Sequence, residues 1–268
     1  MTEELAGGKL ILDSPAEAVV RLRISNPERR NALDHEILDA LAETLPRLDR
    51  GIETRCLLIT GAPPVFSAGY DLASFATETF ERDAEALVAH PFHAAMEALG
   101  RHPWPTVAAL NGHCIGGGLE LAITCDLRIC AAGAKLGMPP VKLGLVYGHT
   151  GLRKFLDTVG LARTKELFLT GRNFEAMRAE EIGLVHQVVG DEELEAAAVK
   201  LAAGIAANAP LSMRGNKSAI EVLNASPLLS EQQEAGLIAL RESCFSSEDL
   251  REGVQAFAEK RKPVWKGR

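Results

Sequence analysis

The apolar positions of this chain fall into two regimes. Up to about residue 190, short apolar runs alternate with stretches whose apolar residues recur every three or four positions; beyond Asp191 only the second kind remains. The short runs, Ala18–Ile24, Cys56–Thr60, Thr106–Leu110, Leu127–Ala131 and Val185–Val189, predict strands. Between them, helical spacing predicts helices over His35–Leu45, Asp83–Leu99, Leu119–Thr124, Leu152–Val159, Arg163–Leu169 and Glu175–Glu181. Such alternation argues for an α/β architecture. The remainder reads as helices at Glu192–Ala207, Ser212–Leu223, Glu231–Phe245 and Asp249–Lys260, with breaks at Pro210 and Ser226-Pro227. A helical tail set apart in this way suits packing or assembly.

Composition narrows the picture. At 268 residues and 47% hydrophobic, the chain can bury a substantial core as one domain with an extension. A formal net charge of −7 argues against broad nucleic-acid binding, which needs a basic face. The tail runs against that balance, with Lys260, Arg261, Lys262, Lys266 and Arg268 crowded together. The five cysteines show neither C-x-x-C spacing nor a His/Cys cluster, so a disulfide framework and a zinc site are not expected. Met1–Gly8 lacks the basic and apolar segments of a signal peptide, and no uncharged apolar run approaches the roughly 20 residues that span a bilayer. The expectation is a soluble cytoplasmic protein without membrane partners.

The stretch Asn111-Gly112-His113-Cys114-Ile115-Gly116-Gly117-Gly118-Leu119-Glu120-Leu121 carries the most chemistry. A strand precedes it and a helix follows. Three glycines at that junction leave backbone N–H groups unshielded at a helix N-terminus, where the dipole favours negative charge. Glu120 follows within the first turn. Anion-stabilising backbone beside a positioned acid/base suggests a site that handles a developing oxyanion. A plain glycine turn with a solvated glutamate is the competing reading. A second glycine-opened segment, Phe66-Ser67-Ala68-Gly69-Tyr70-Asp71-Leu72, follows another strand and supplies a separate source of N–H donors.

These two segments resemble the F-S-A-G-x-D-L and N-G-x-x-x-G-G-G-x-E-L loops of the enoyl-CoA hydratase/isomerase family, also called the crotonase superfamily. Asn26-Pro27-Glu28-Arg29-Arg30-Asn31-Ala32-Leu33 and Ala256-Phe257-Ala258-Glu259-Lys260-Arg261-Lys262-Pro263 match its N-P-x-x-R-N-A-L and A-F-x-E-K-R-K-P motifs. The resemblance implies a spiral of β-β-α units over residues 1–200 and a helical region over 201–268 that builds homotrimers, often paired into hexamers. It implies an acyl-CoA substrate, with CoA as part of that substrate and no prosthetic group. Metal-ligand clusters, P-loops and dinucleotide fingerprints are not evident.

By motif position, the oxyanion donors are the backbone N–H groups of Tyr70 and Gly117. Glu120 falls on the first of the two glutamates that a family hydratase uses. The second would stand in a G-x-P-E stretch, which here reads Gly137-Met138-Pro139-Pro140. Hydration shares water activation and proton delivery between two carboxylates, so Pro140 implies an atypical site. Loss of carbon dioxide from a malonyl-type thioester generates the enolate without a base and fits a site with one acid. Met138–Tyr147 is similar to the M-x-P-V-x-L-G-x-x-Y of the methylmalonyl-CoA decarboxylase branch, which places Tyr147 on that branch's pocket tyrosine. Tyr70 and Pro139 depart from the histidine and threonine of that branch. His149, in a loop opening the next helix, is a candidate for proton transfer near neutral pH.

For CoA, the resemblance points to Arg29, Arg30, Ala68, Asp71 and Leu72, with Phe257 and Lys260 reaching a neighbouring subunit's site. Solvated surface charge is the plainer reading of each cation. A catalytically idle acyl-CoA-binding or protein-interaction relative is the alternative of another class. The intact donors and Glu120 count against it, and Pro140 counts for it.

Overall fold

The computed structural model describes residues 2–48, 53–71, 91–143, 145–225 and 230–268. The strands are β1 (Glu3–Leu5), β2 (Leu10–Ala16), β3 (Val19–Ile24), β4 (Cys56–Gly61) and β5 (Thr106–Leu110), then β6 (Cys114–Ile115), β7 (Leu127–Ala131), β8 (Lys135–Gly137), β9 (Asn173–Glu175) and β10 (Gln187–Val189). The helices begin with α1 (His35–Thr44), α2 (His93–Gly100), α3 (Gly117–Thr124), α4 (His149–Thr170) and α5 (Ala176–Glu181). They continue as α6 (Leu194–Ala206), α7 (Pro210–Ala225), α8 (Glu231–Ser246) and α9 (Glu248–Glu259).

Among the described residues, seven strands form one sheet in the order β1-β2-β3-β4-β5-β7-β10. Pairing is parallel from β3 to β10 and antiparallel where β1 and β2 extend the edge. The five predicted strands are its parallel part. They read as continuous apolar runs because both faces are covered. Leu57 and Ile59 of β4 pack in a cluster with Leu22, Ile24, Ala108 and the α1 residues Ile37, Leu38 and Leu41. Their neighbours Cys56 and Leu58 join a second cluster with Val107, Ala109, Ile129 and α6. From α6 come Leu194, Ala198, Ala202 and Ala206, a stripe at intervals of four whose alanines let the helix approach closely.

A smaller sheet, β6-β8-β9, lies under the glycine-rich junction. Its strands of two or three residues are too short to show periodicity, so the sequence did not reveal them. The predicted strand at Val185 begins two residues later, because the N–H groups of Leu184 and Val185 close α5 by donating to Ala179. Pro210, read as a break, is the first residue of α7, where its missing N–H costs little. Gly160 (φ 74°, ψ 171°) interrupts α4 between the two helices that were expected there. The predicted helix over Asp83–Leu99 lies outside the described residues up to residue 90; its end is α2.

The C-terminal tail folds back on α9. The Arg268 carbonyl accepts from the N–H groups of Glu248 and Asp249, at 2.7 and 3.2 Å. The buried Asp249 carboxylate accepts from Lys266 and Gly267 N–H, at 2.7 and 3.0 Å. Trp265 Nε1–H donates to the Ala207 carbonyl at 2.6 Å. The basic residues pair with carboxylates of α9 itself: Lys266 with Glu248 at 2.8 Å, and Arg261 with Glu252 at 2.6 Å. No single described helix is long and apolar enough to cross a membrane.

Candidate active site

The first glycine segment is stitched to the N-terminal motif. Asn31, fully buried in a left-handed conformation (φ 54°), donates through Nδ2 to the carbonyls of Ala62 and Val65, both at 2.7 Å. Its own carbonyl accepts from Ser67 Oγ at 2.8 Å. Ala68 N–H donates to Arg30, Leu33 N–H to Gly69, and Asp71 N–H to Leu33. The chain through Gly69 and Tyr70 is thereby fixed on both sides.

The second segment packs onto the first with no room for side chains. Gly69 has φ +93°, and a Cβ there would stand 2.8 Å from the Ile115 carbonyl oxygen and 3.1 Å from Gly117 N. A Cβ on Gly118 would meet Ser67 Cβ at 2.7 Å, and one on Gly117 would meet Tyr70 Cε1 at 2.7 Å. Gly116, at φ 57° and ψ −125°, makes the turn into α3 in a conformation that glycine tolerates. Glycine at 69, 117 and 118 is therefore a requirement of close approach, and at 116 one of backbone conformation. Among the described residues, neither Tyr70 N–H nor Gly117 N–H donates a hydrogen bond.

Glu120 sits in the first turn of α3 and is buried, at 5% exposure. Tyr147 Oη–H donates to Glu120 Oε2 at 2.6 Å, and Tyr70 Oη lies 3.3 Å from Tyr147 Oη. A hydroxyl has one hydrogen. With that of Tyr147 given to the acid, Tyr70 donates to Tyr147, and the chain runs Tyr70 to Tyr147 to Glu120. Phe92 and Phe168 hold the rings, Phe92 edge-on to Tyr70 at 4.8 Å and Phe168 tilted against Tyr147 at 5.4 Å. Burial raises both phenol pKa values, that of Tyr147 well above its ordinary value. Gly151, in the first turn of α4, lets that helix reach the acid; a Cβ there would lie 2.6 Å from both Glu120 Oε2 and Tyr147 Cε1. Glu120 Oε1 lies 3.6 Å from Lys154 Nζ.

A sequence model of the enoyl-CoA hydratase/isomerase family matches residues 15–268. The chain belongs to this family. The Bacillus subtilis protein YngF, named for the same family, is 35% identical over 266 residues, covering 97% of this chain and 99% of YngF. A short-chain-enoyl-CoA hydratase of Clostridium acetobutylicum is 32% identical over 258 residues, covering 94% of this chain and 95% of the relative. The crystal structure of a Bacillus anthracis enoyl-CoA hydratase superimposes with a TM-score of 0.88 at 33% identity, over 97% of this chain and all of that one. The α/β class expected from the alternating pattern is the fold of these enoyl-CoA hydratase/isomerase relatives.

Within that family framework the structure gathers Tyr70, Gly117, Glu120 and Tyr147. His149 is not joined to them: it is exposed at the first position of α4 and, among the described residues, makes no hydrogen bond or ion pair with Glu120 or either tyrosine. Pro140 is buried and opens a short 3-10 turn, so its ring offers no proton-transfer group. Cys114 is fully buried, and burial pushes its thiol well up.

Of the predicted CoA contacts, Arg29, Arg30 and Ala68 are exposed, and Ala68 N–H donates to the Arg30 carbonyl, which sets Ala68 beside the arginine pair. Asp71 is buried. Lys260 is exposed at the left-handed end of α9, and among the described residues no hydrogen bond or ion pair joins it to Arg29, Arg30 or Ala68. Leu72 and the side chain of Phe257 lie outside what the structure describes. Sequence reading missed Asn31 as the stitch of the first loop, and Gly151 and Lys154 as neighbours of the acid. Asn31 stands within the N-terminal motif, but an asparagine there gives no sign by residue type that its amide ties two loops together.

Proposed function

We propose that this enzyme binds an acyl-CoA thioester and stabilises its enolate between the backbone N–H groups of Tyr70 and Gly117. Glu120 and the two tyrosines then handle the proton. The observation that carries this reading is the Tyr70–Tyr147–Glu120 chain beside two N–H groups that have no acceptor among the described residues. Enolate formation moves negative charge onto the thioester oxygen. Two fixed donors lower that barrier by roughly 3–4 kcal/mol each, on the scale of oxyanion holes elsewhere. The name of the Clostridium relative supports the substrate class.

The tyrosine chain takes the place of a second carboxylate. A proton delivered to Tyr70 Oη passes through Tyr147 Oη to Glu120, and the reverse path returns it to the α carbon. Such a site handles proton transfer at carbon better than concerted addition of water, for which two acids share the work. Weak hydration of crotonyl-CoA follows.

Pro140 favours a second reading, decarboxylation of a malonyl-type thioester. The bond between the α carbon and the substrate carboxylate breaks, its electron pair passes into the thioester, carbon dioxide leaves, and the α carbon takes a proton. An uncharged ring at 140 avoids the repulsion a glutamate would exert on that carboxylate. Incubation with crotonyl-, methylmalonyl- and ethylmalonyl-CoA, with mass spectrometry of the products, separates the two. Glu120→Gln without loss of any activity would remove both.

Assembly into trimers or hexamers belongs to the same proposal. Ile220 and Leu223 of α7 and Val254 of α9 are exposed apolar residues that a neighbouring subunit would cover. Light scattering at micromolar concentration tests this, and a monomer with full CoA affinity would contradict it.

A further inference from the structure

The two oxygens of Glu120 have different partners. Tyr147 takes Oε2, whereas Oε1 faces the ammonium of Lys154. That ammonium is itself held in place, because Lys154 Nζ–H also donates to Thr124 Oγ1 at 2.7 Å. Thr124 stands one turn beyond Glu120 on α3 and donates its own hydroxyl hydrogen to the Glu120 carbonyl at 2.8 Å. One cation thus bridges two side chains at i and i+4 on a single helix face. On α4, Lys154 follows Gly151 by three positions, so the glycine that admits the acid and the cation that grips it share one face. The Lys154 side chain is 29% exposed and that of Glu120 only 6%, which sets the cation on the solvent side of the acid.

We infer that Lys154 is a positioning residue, whose ammonium holds Glu120 Oε1 so that Oε2 faces Tyr147 and the proton path. This inference rests on the reading of Glu120 as the acid–base group. Removing the charge frees the carboxylate to turn, and a misplaced catalytic group costs up to about 100-fold in rate.

The charge is also the part of this cluster that pH can remove. Burial holds the Lys154 ammonium below its ordinary range, against the opposing pull of Glu120. The titratable groups facing it are Glu120 on α3, Cys125 just past its end and, through the acid, Tyr147 and Tyr70. Burial pushes Cys125 up to about 12 and both tyrosines above their usual value. As pH rises from neutral, Lys154 is therefore the first of these cations and neutral acids to lose its proton, and turnover falls with it.

The test uses the full-length enzyme with whichever of crotonyl-CoA or methylmalonyl-CoA it turns over, and compares Lys154→Met, Lys154→Arg and Glu120→Gln. Lys154→Met should lower kcat about 10- to 100-fold with KM changed less than about twofold. Lys154→Arg should retain most of kcat and move the alkaline fall to higher pH, since a guanidinium stays charged there. Parent-like kcat in Lys154→Met, a rise in KM alone, or an unmoved alkaline limb in Lys154→Arg would each overturn the inference. Glu120→Gln separates the two levels. If it is inactive while Lys154→Met is parent-like, only the role of Lys154 fails; if it is fully active, the reading of Glu120 fails too. Matching thermal melts exclude a folding defect, and if Lys154→Met does not fold, the Lys154→Arg pH profile decides.

Discussion

The helix that carries the acid and the helix that ends the chain are held by different forces. Seven of the eight residues of α3 are buried, and its glycines meet a neighbouring loop at distances that admit no Cβ. In α9, Leu250 and Val254 are exposed, and the closing contacts are ion pairs and hydrogen bonds to the tail. Close packing of backbone on backbone fixes a position to within a fraction of an ångström and fails abruptly when an atom is added. Exposed ion pairs fix little and fail gradually. The region around Glu120 has the first kind of support, and the C-terminal region has the second.

Substitutions should separate the two regions in size of effect. Glu120→Gln should cost on the order of 100- to 10,000-fold in turnover while the fold survives, as read by steady-state kinetics and circular dichroism. Gly117→Ala keeps the N–H but drives a methyl into the Tyr70 ring. It should cost about 100-fold in kcat, and Gly117→Pro, which also deletes the donor, should cost more. Tyr147→Phe removes the hydroxyl that links Tyr70 to Glu120 and should cost about tenfold or more.

The tail should respond more mildly. Asp249→Ala strands two tail N–H groups and costs about 1–3 kcal/mol of local stability, seen as release of Trp265 by fluorescence, with kcat little changed. The pairing also has a pH signature. Lys266 lowers the Glu248 pKa, and Arg261 lowers that of Glu252 to about 2. Carboxylates lowered in this way support the docked tail above their unfolded range and lose that support as pH falls through the folded values. Tail release should therefore develop as pH falls from about 4.5 towards about 2 and be detected by Trp265 emission in a Trp104→Phe background. Release near neutral pH would show that these pairs do not hold the tail.

The same contrast explains what the sequence disclosed. The parallel strands were legible because burial on both faces leaves unbroken apolar runs such as Cys56–Thr60. The glycines at 116–118 were legible as a special backbone, and Glu120 stood beside them. Lys154 was not legible, since Arg153-Lys154 reads as an ordinary charged helix face and its contact with Glu120 joins two helices far apart in sequence. Gly151 carried no signal either, because its purpose is the space it leaves for Glu120. His149 shows the converse: its residue type suggested chemistry, but at the start of α4 it points to solvent. Tyr147 was found through family resemblance, because the bond to Glu120 spans 27 residues and leaves no local pattern.

The central claim is that one carboxylate and a tyrosine chain serve an enolate site from which the second acid is missing. The most direct test is the hydration rate of crotonyl-CoA, measured beside a family hydratase with both glutamates and beside Pro140→Glu of this chain. The account predicts a rate on the order of 100- to 10,000-fold below the two-glutamate enzyme, raised by Pro140→Glu. Hydration as fast as the two-glutamate enzyme, with Pro140→Glu neutral or harmful, would contradict it and require another acid in the place that Pro140 leaves.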